Sequence, residues 1–208
     1  MAKPDAALTD RGLARRLAAD LDAAFPLVVV SYQDRLYRFV LRFTGCAAEA
    51  EDVAQDAFVR AYRWLRTNRI EPDTFHLRPW LYRVALNVCR NRARRGGRTV
   101  ELLDEPAGLG MTEEPERGPE GLAEANETRA ELAALLAAMP ANYRAAVVLR
   151  HVEELSYADV AAATGCPLGT AKSNVHRGLA WLRSHMHPLG GVPDGHGLSL
   201  PGNEEVSW

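Results

Sequence analysis

A short polar and basic stretch near the C-terminal end carries side chains that are suited to reading nucleic acid. Apolar residues at steps of four, four and three (Ala171, Val175, Leu179 and Leu182) predict one helix with an apolar inner face. The side chains left facing outward are Lys172, Ser173, Asn174, His176 and Arg177. Such donors on one helix fit a DNA major groove, and we therefore expect duplex binding. The alternative is an ordinary helical hairpin with a solvated basic face.

The residues before this stretch predict the first helix of a helix-turn-helix. Ser156 can cap a helix, and Asp159 three residues later can complete a capping box. Gly165 stands where that helix must stop, at a position expected to need positive φ. Pro167 has a φ that suits the start of the next helix, where its missing N–H costs nothing.

A second candidate for nucleic-acid contact is the string FHLRPWLYRVALNVCRNRARR. It places Phe75, Trp80 and Tyr82 beside arginines and Asn87. Bases stack on aromatic rings while cations neutralise the backbone, so this pattern favours single-stranded nucleic acid. Trp80 has two interpretations, stacking on a base or packing in the core, and we favour packing.

Charge is strongly segregated along this chain of 208 residues, although its formal net charge is only −2. Residues 78–98 are rich in arginine, whereas residues 101–131 are rich in glutamate, which indicates two opposite surfaces. No apolar run approaches the length of a membrane span, and residues 1–12 lack the apolar core of a signal peptide. We therefore expect no membrane insertion and a cytoplasmic protein.

Cysteine and histidine spacing predicts neither a metal site nor a cofactor site. Cys46, Cys89 and Cys166 are odd in number and far apart, so we expect buried, reduced thiols. His185 and His187, with the more distant His196, lie in a Gly/Pro-rich tail, where clustering by chance is the simpler interpretation.

Helical spacing recurs along the chain and no strand pattern does, so the predicted fold class is all-α. Helices are expected at residues 9–24 (broken by Pro26), 28–43 (ended by Gly45), 49–65, 80–95 and 142–153, with another starting near 122. The predicted plan is two small helical domains joined by a flexible acidic linker. Its parts are an N-terminal extension (1–26), a first domain (27–96), the linker (97–121), a second domain (122–187) and a flexible tail (188–208).

Four segments of the chain resemble the regions shared by extracytoplasmic-function (ECF) sigma factors of the sigma-70 family. They are DVAQDAFVRAYRWL, WLYRVALNVCRNRARR, MPANYRAAVVLRHVEELSYADVAAATG and GTAKSNVHRGLAWLR. The resemblance covers about residues 27–95 and 132–183, in the order of the family. It implies a sigma region 2 and a sigma region 4, and a protein that binds core RNA polymerase and directs promoter-specific initiation.

The resemblance also implies roles for particular residues. The helix with Asp52, Gln55, Asp56 and Arg60 corresponds to the docking surface for the β′ clamp helices, with a solvated acidic face as the alternative. The loop at residues 68–78 and the next helix correspond to the part that captures a flipped base and melts the minus-ten element. The candidates there are Asn68, Arg69, Phe75, Arg78, Trp80, Arg83, Asn87 and Arg90. The candidates in the recognition helix also include Thr170 and Asn174. In that helix the resemblance assigns contacts with base edges of the minus-thirty-five element to Lys172, Ser173 and His176, and a phosphate contact to Arg177.

The implied partners are core RNA polymerase (β′ clamp helices and β subunit), promoter DNA and an anti-sigma factor. The acidic linker corresponds to a segment that threads toward the polymerase cleft, although a plain flexible spacer fits equally well. Asn174 replaces a common Arg and Asn91 a frequent acid. Gly178 replaces a usual Ala, which is expected to cost roughly 1 kcal/mol of helix stability.

The sequence also bears on two other classes of function. A conventional helix-turn-helix activator or repressor would bind duplex DNA tightly by itself, usually as a dimer on a palindrome. An enzyme is not expected, because the chain has no Gly-rich phosphate loop, His-Glu-x-x-His or nucleophile-elbow pattern. Asp52 and Asp56 share a helical face, but no third metal ligand is evident.

Overall fold

The computed structural model describes residues 9–95 and 123–186, which form helices and contain no strand. The all-α fold class is therefore confirmed. The predicted linker (97–121) and tail (188–208), with His187 and His196, lie outside the described residues. The helices are α1 (Asp10–Ala19), α2 (Leu21–Thr44), α3 (Ala47–Thr67), α4 (Leu77–Arg95), α5 (Ala123–Ala138), α6 (Ala141–Val147), a π-helical turn (Val148–Val152), α7 (Tyr157–Thr164) and α8 (Leu168–His185).

Helices α1 to α4 form the N-terminal unit (residues 9–95), whose core lies between α2, α3 and α4. Phe39 and Tyr82 are fully buried there, and their ring centroids are 4.9 Å apart in an edge-to-face arrangement. Helix α2 ends at Gly45, whose φ of 73° is left-handed, as expected from the sequence. Each fully buried large apolar side chain contributes about 1.5–3 kcal/mol, so this core fixes the relative positions of α3 and α4.

The expected helix at residues 9–24 with a break at Pro26 was wrong. The break lies at Asp20, which has an extended backbone and whose side chain accepts a hydrogen bond from Ala23 N at 3.1 Å. Pro26 lies inside α2 and is exposed, while its neighbours Ala24 and Val28 are buried. Burial of this face outweighs the cost of the missing N–H, so the predicted boundary between residues 26 and 27 falls within α2.

Three smaller expectations also needed correction. Helix α4 begins at Leu77 rather than at residue 80, so Arg78 belongs to the helix and not to the loop before it. The helix predicted at residues 142–153 changes to a π-helical turn after Val147, and Val152, expected inside, is 45% exposed. Of the three expected buried thiols, only Cys89 is buried, whereas Cys46 and Cys166 are half-buried.

Helices α5 to α8 form the C-terminal unit (residues 123–186), which contains the predicted helix-turn-helix. Ser156 caps α7 by accepting a hydrogen bond from Asp159 N at 3.1 Å, and its hydroxyl donates to the Asp159 carboxylate at 2.7 Å. Gly165 ends α7 with a φ of 73°, as predicted. Glu154, just before α7, has a φ of 55° and is the one non-glycine residue with positive φ among the described residues. This backbone turns the chain sharply out of the π-helical turn.

The two units pack against each other along two seams. In the first, the turn between α5 and α6 meets the C-terminal end of α2, and in the second, α7 lies on α4. Arg144 of α6, only 8% exposed, donates hydrogen bonds to the carbonyl oxygens of Phe43, Ala137 and Met139. Its burial lowers the pKa of the guanidinium to about 10. A cation is thus shared between the last turns of two helices, where carbonyl groups lack partners within their own helix.

Helices α6 and α8 cross so closely at Gly178 that a larger residue does not fit there. The low helix propensity of glycine, noted from the sequence, did not reveal this requirement. A Cβ built at Gly178 would lie 2.4 Å from Val147 Cγ2 and 3.3 Å from the Tyr143 carbonyl oxygen. We therefore expect Gly178→Ala to destabilise the protein by about 1–3 kcal/mol through overpacking, despite its better propensity. Gly169→Ala on the same helix, where nothing lies within 4 Å, is the control and should be neutral or slightly stabilising. Urea unfolding followed by circular dichroism measures both, and an equal gain in stability for both would contradict the crossing argument.

Burial should also separate the reactivities of the cysteines. Removal from water raises the pKa of the Cys89 thiol to about 12, so its reactive thiolate is scarce at neutral pH. In the folded protein iodoacetamide should modify Cys46 and Cys166 well before Cys89, and all three after denaturation. Mass spectrometry of proteolytic fragments over a time course measures the rates. Modification of Cys89 as fast as Cys46 in the folded protein would be inconsistent with this packing.

Candidate polymerase and nucleic-acid surfaces

The four predicted docking residues share the outer face of α3. Asp56 and Arg60 form a bidentate ion pair at 3.0 and 3.1 Å, and Asp52 pairs with Arg92 of α4 at 3.1 Å. Gln55 is exposed beside them and donates a hydrogen bond to Glu51 at 3.3 Å. The face is therefore polar, with charges held in defined positions by neighbouring turns.

The sequence analysis missed Val59, an exposed apolar side chain on this face. Val59 is 46% exposed and lies one turn beyond Gln55 and Asp56. Beside it, Phe25, Phe58 and Tyr62 line a shallow groove. The missed signal was the spacing, because residues 55, 56 and 59 recur on one helical face. An apolar patch with a charged border is typical of a protein-binding surface.

The loop between α3 and α4 is attached to α1 by charged side chains. Asp73 accepts hydrogen bonds from Arg11 at 2.7 Å and from Arg15 at 3.0 Å, which lowers the pKa of its carboxyl group. Asn68 and Arg69 at the start of the loop are exposed, and the Asn68 amide donates to the Trp64 carbonyl at 2.8 Å. The N-terminal helix therefore contributes to the position of this loop, which the sequence did not reveal.

Three aromatic rings form a cluster where the loop joins α4. Trp64 stacks on Phe75 with a centroid separation of 6.4 Å, and Trp80 contacts both rings at 5.1 and 5.2 Å. Trp80 is half-buried and packs on the core, whereas Trp64 is 41% exposed. Of the predicted strand-contact residues, Phe75 and Trp80 thus belong to one cluster near Asn68 and Arg69.

The remaining strand-contact candidates lie on α4, and the arginines among them face the C-terminal unit. Arg78 donates a hydrogen bond to the Glu153 carbonyl, and Arg90 donates to the Thr164 carbonyl at 3.4 Å. The guanidinium of Arg83 lies against Gly165, with Nη2 3.7 Å from the position of a Cβ there. Asn87 is exposed on the same helix. The structure therefore divides the predicted single-strand surface into an accessible part and a part in contact with α7.

A buried carboxylate between the units was also missed by the sequence analysis. Glu153 is 7% exposed, accepts a hydrogen bond from the Tyr82 hydroxyl and lies 3.8 Å from the Arg78 guanidinium. Burial, and secondarily the hydrogen bond to Glu153, raise the pKa of Tyr82 well above its ordinary value. Glu153 directly follows the π-helical turn, a feature that often marks functional positions.

The recognition helix α8 presents the predicted donor face to solvent. Thr170, Lys172, Ser173, His176 and Arg177 are exposed, and Asn174 is half-buried. On the opposite side Ala171 and Val175 are fully buried. The spacing of apolar residues therefore assigned the two faces correctly, and the outward face can enter a groove without any rearrangement of α8.

Within residues 9–95 and 123–186, no group of three or more His, Cys, Asp or Glu residues is arranged to hold a metal ion. Over the same ranges, none of the helices combines the length and the apolar character that a membrane span requires.

Comparisons with known proteins assign both units. Residues 28–99 match the family profile of sigma-70 region 2, and residues 129–182 match that of sigma-70 region 4. The chain is 36% identical over 160 residues to an ECF RNA polymerase sigma factor, SigE, of Mycolicibacterium smegmatis, and covers 60% of its length. It is 32% identical to the RNA polymerase sigma-H factor of Pseudomonas aeruginosa and 31% identical to the ECF sigma-E factor of Escherichia coli. It covers 95% and 96% of these two relatives, and the matches include 86% and 88% of this chain.

Solved structures that share the fold include two complexes. One is CnrH in complex with the cytosolic domain of CnrY, at a TM-score of 0.61 and 24% identity, covering 84% of this chain and 95% of that one. The other is the sigma factor RpoE of Bartonella quintana with the anti-sigma factor NepR, at a TM-score of 0.57 and 24% identity. It covers 77% of this chain and 94% of its own.

These matches define the class as a sigma-70 type protein with regions 2 and 4. The chain belongs to the sigma-70 family, in its extracytoplasmic-function group. The alternative of a conventional helix-turn-helix regulator is not favoured, because region 2 is matched together with region 4.

Proposed function

We propose that this ECF sigma factor brings core RNA polymerase to promoters that it contacts at two elements. The observation that carries the proposal is the exposed donor face of α8, which follows a capped α7 and a tight turn at Gly165. On this proposal Lys172, Ser173 and His176 contact base edges of the minus-thirty-five element. Arg177 contacts a phosphate, which holds the helix in register while the base contacts discriminate.

Core polymerase binding is assigned to the outer face of α3. Asp52, Gln55, Asp56 and Arg60 contact the β′ clamp helices, and Val59 supplies apolar area at the centre of the contact. The exposed apolar side chain within a charged border supports this role, since charged residues are depleted from the centres of interfaces and enriched at their rims. The β subunit is proposed as a further polymerase contact.

Capture of the melted minus-ten strand is assigned to the loop after α3 and to α4. Asn68, Arg69, Phe75 and Trp80 form one part, and Arg78, Arg83, Asn87 and Arg90 the other. The aromatic cluster beside a row of arginines supports this role, because stacking and backbone neutralisation together hold single strands. The function is recognition and strand separation rather than enzymatic catalysis, and we place it in the cytoplasm, where polymerase acts.

An anti-sigma factor is proposed as the regulatory partner. Both of the solved structures described above are complexes, and one of them is a sigma factor bound to an anti-sigma factor. The exposed face of α3 and the α8 face are the surfaces that such a partner would have to cover to block function.

Run-off transcription tests the proposal. Purified core polymerase is supplied with this protein on fragments of the source genome, and specific new start sites are expected only when both are present. Tight duplex binding by the protein alone, with no new transcripts and no co-migration with core polymerase, would instead indicate an independent regulator.

Variants of α8 should separate base reading from phosphate contact. Lys172→Ala should lower transcription from cognate promoters by about tenfold or more, as expected for a lost base contact of about 1–3 kcal/mol. Arg177→Ala should weaken binding uniformly across promoters. It should also reduce the slope of log affinity against log salt concentration by about one. The matched control is Arg183→Ala, which removes an exposed arginine from the same helix roughly 16 Å from Lys172. Equal losses for all three variants would indicate a general charge effect.

Charge reversal on α3 should weaken the assembly with core polymerase. Asp52→Lys and Asp56→Lys replace exposed or half-exposed ion-pair partners, so we expect little loss of fold stability. We expect a rise of about tenfold or more in the dissociation constant from core polymerase, measured by fluorescence anisotropy, because like charges then face the partner. The control is Asp34→Lys, which makes an equal charge change at an exposed position of α2. Unchanged binding of both α3 variants would indicate that the docking surface lies elsewhere on the protein.

A further inference from the structure

The C-terminal unit contacts three of the proposed strand-contact arginines on α4, of which Arg83 remains exposed. Arg78 is bound to the Glu153 carbonyl, Arg90 to the Thr164 carbonyl, and Arg83 lies against Gly165. Burial also lowers the pKa of Arg90, which marks its removal from water. The contacts of Arg78 and Arg90 with the C-terminal unit must break before a single strand can replace them, whereas Arg83 remains exposed.

The groups that face these arginines are negative in character, as a nucleic-acid backbone is. Glu153 supplies a carboxylate 3.8 Å from Arg78, and Thr164 supplies a carbonyl at the C-terminal end of α7, the negative end of the helix dipole. The C-terminal unit therefore occupies the arginines with groups that a phosphate backbone can replace.

Glu153 obtains its side-chain partners from the other unit. The Tyr82 hydroxyl and the Arg78 guanidinium both belong to α4. A buried carboxylate without partners is strongly unfavourable, so Glu153 is stable at this position only while the units are packed together. Once the units separate, water solvates both the carboxylate and the arginine.

Some buried polar groups lack hydrogen-bond partners while the two units are packed together, which favours reversible separation of the units. The Nε atoms of Arg78 and Arg144 are buried without a hydrogen-bond acceptor among the described residues. Buried donors without acceptors oppose the packed state, whereas in water they would be solvated. The two seams between the units therefore contain polar groups that gain partners on opening.

We propose that Glu153 latches the free protein in a closed state, in which the C-terminal unit competes with single-stranded DNA for Arg78 and Arg90. The proposal rests on the assignment of these arginines to strand capture. The donor face of α8 stays exposed in the closed state, so the latch masks part of the single-strand surface and leaves the duplex surface available.

Single-strand binding by the free full-length chain tests the latch. The probe is a fluorescein-labelled oligothymidylate of about 20 nucleotides, longer than typical site sizes, and the readout is fluorescence anisotropy. Glu153→Gln weakens the attraction for Arg78, and Tyr82→Phe removes the hydroxyl that donates to Glu153. Both variants should bind the probe about tenfold more tightly than the unmodified chain.

Glu154→Gln is the matched control, because it removes the same charge from the neighbouring residue, which is exposed. It should change the affinity by less than about twofold, as one charge does in a salt-screened solution. Circular dichroism verifies that each variant remains helical. If Glu153→Gln and Glu154→Gln bind the probe equally, or if Tyr82→Phe binds like the unmodified chain, the latch is refuted.

A reversible cross-link tests the same idea without altering the latch. A Cβ at Gly45 would lie 3.9 Å from the Ala137 Cβ across the first seam, within the range of disulfides. Gly45→Cys with Ala137→Cys, in a Cys46→Ser background, can therefore close the seam on oxidation. The strain of a non-glycine residue at Gly45 is present in both redox states, so their comparison removes it.

The oxidised protein should bind the oligothymidylate at least about tenfold more weakly than the reduced protein, and reduction should restore transcription. Equal probe binding in both states would contradict the latch. If the reduced protein binds the probe and still yields no transcripts with core polymerase, the proposed function fails while the latch stands. The Cys46→Ser chain alone controls for effects of oxidation elsewhere.

Discussion

The arrangement of this protein depends on two charged side chains that are buried where its units meet. Arg144 is bound by carbonyl groups of both units, and Glu153 by Tyr82 and Arg78 of the N-terminal unit. A buried charge without partners costs several kcal/mol, so each side chain permits only a docking geometry that supplies its partners. Apolar seams tolerate sliding, whereas these two polar contacts fix the register of α6 on α2 and of α7 on α4.

The sequence predicted the helices and most of their ends, because those signals are local. Gly45 and Gly165 need left-handed backbone wherever their helices pack, and the pairing of Ser156 with Asp159 lies within one turn. The inner and outer faces of α8 follow from spacing alone. The exposed part of the candidate nucleic-acid surface could therefore be located from residues near one another in the chain.

The features that escaped prediction depend on residues distant in the chain. Pro26 resembles a helix breaker, but Asp20 offers a better end and the buried neighbours of Pro26 hold α2 together. Gly178 resembles a weak point of α8 until Val147 of α6 is placed against it. Glu153 resembles a solvated acid after a helix, and only the packing of α7 on α4 shows that it is buried. In each case a tertiary contact outweighs the local preference.

The unequal accessibility of the two DNA-contacting surfaces suggests an order of events on a promoter. Non-specific attraction to a polyanion grows with the number of available cations, so the engagement of Arg78 and Arg90 by the C-terminal unit reduces binding to DNA away from promoters. The face of α8 needs no rearrangement to enter a duplex groove, whereas Arg78 and Arg90 of α4 become available only after the units separate. The hydrogen bonds and ion pairs of the α3 docking residues are made within α3 and to Arg92 of α4, not to α7, so polymerase docking there does not itself open the seam between α4 and α7. Duplex contact therefore precedes strand capture, and the unpaired strand stabilises the open state by taking the place of Glu153.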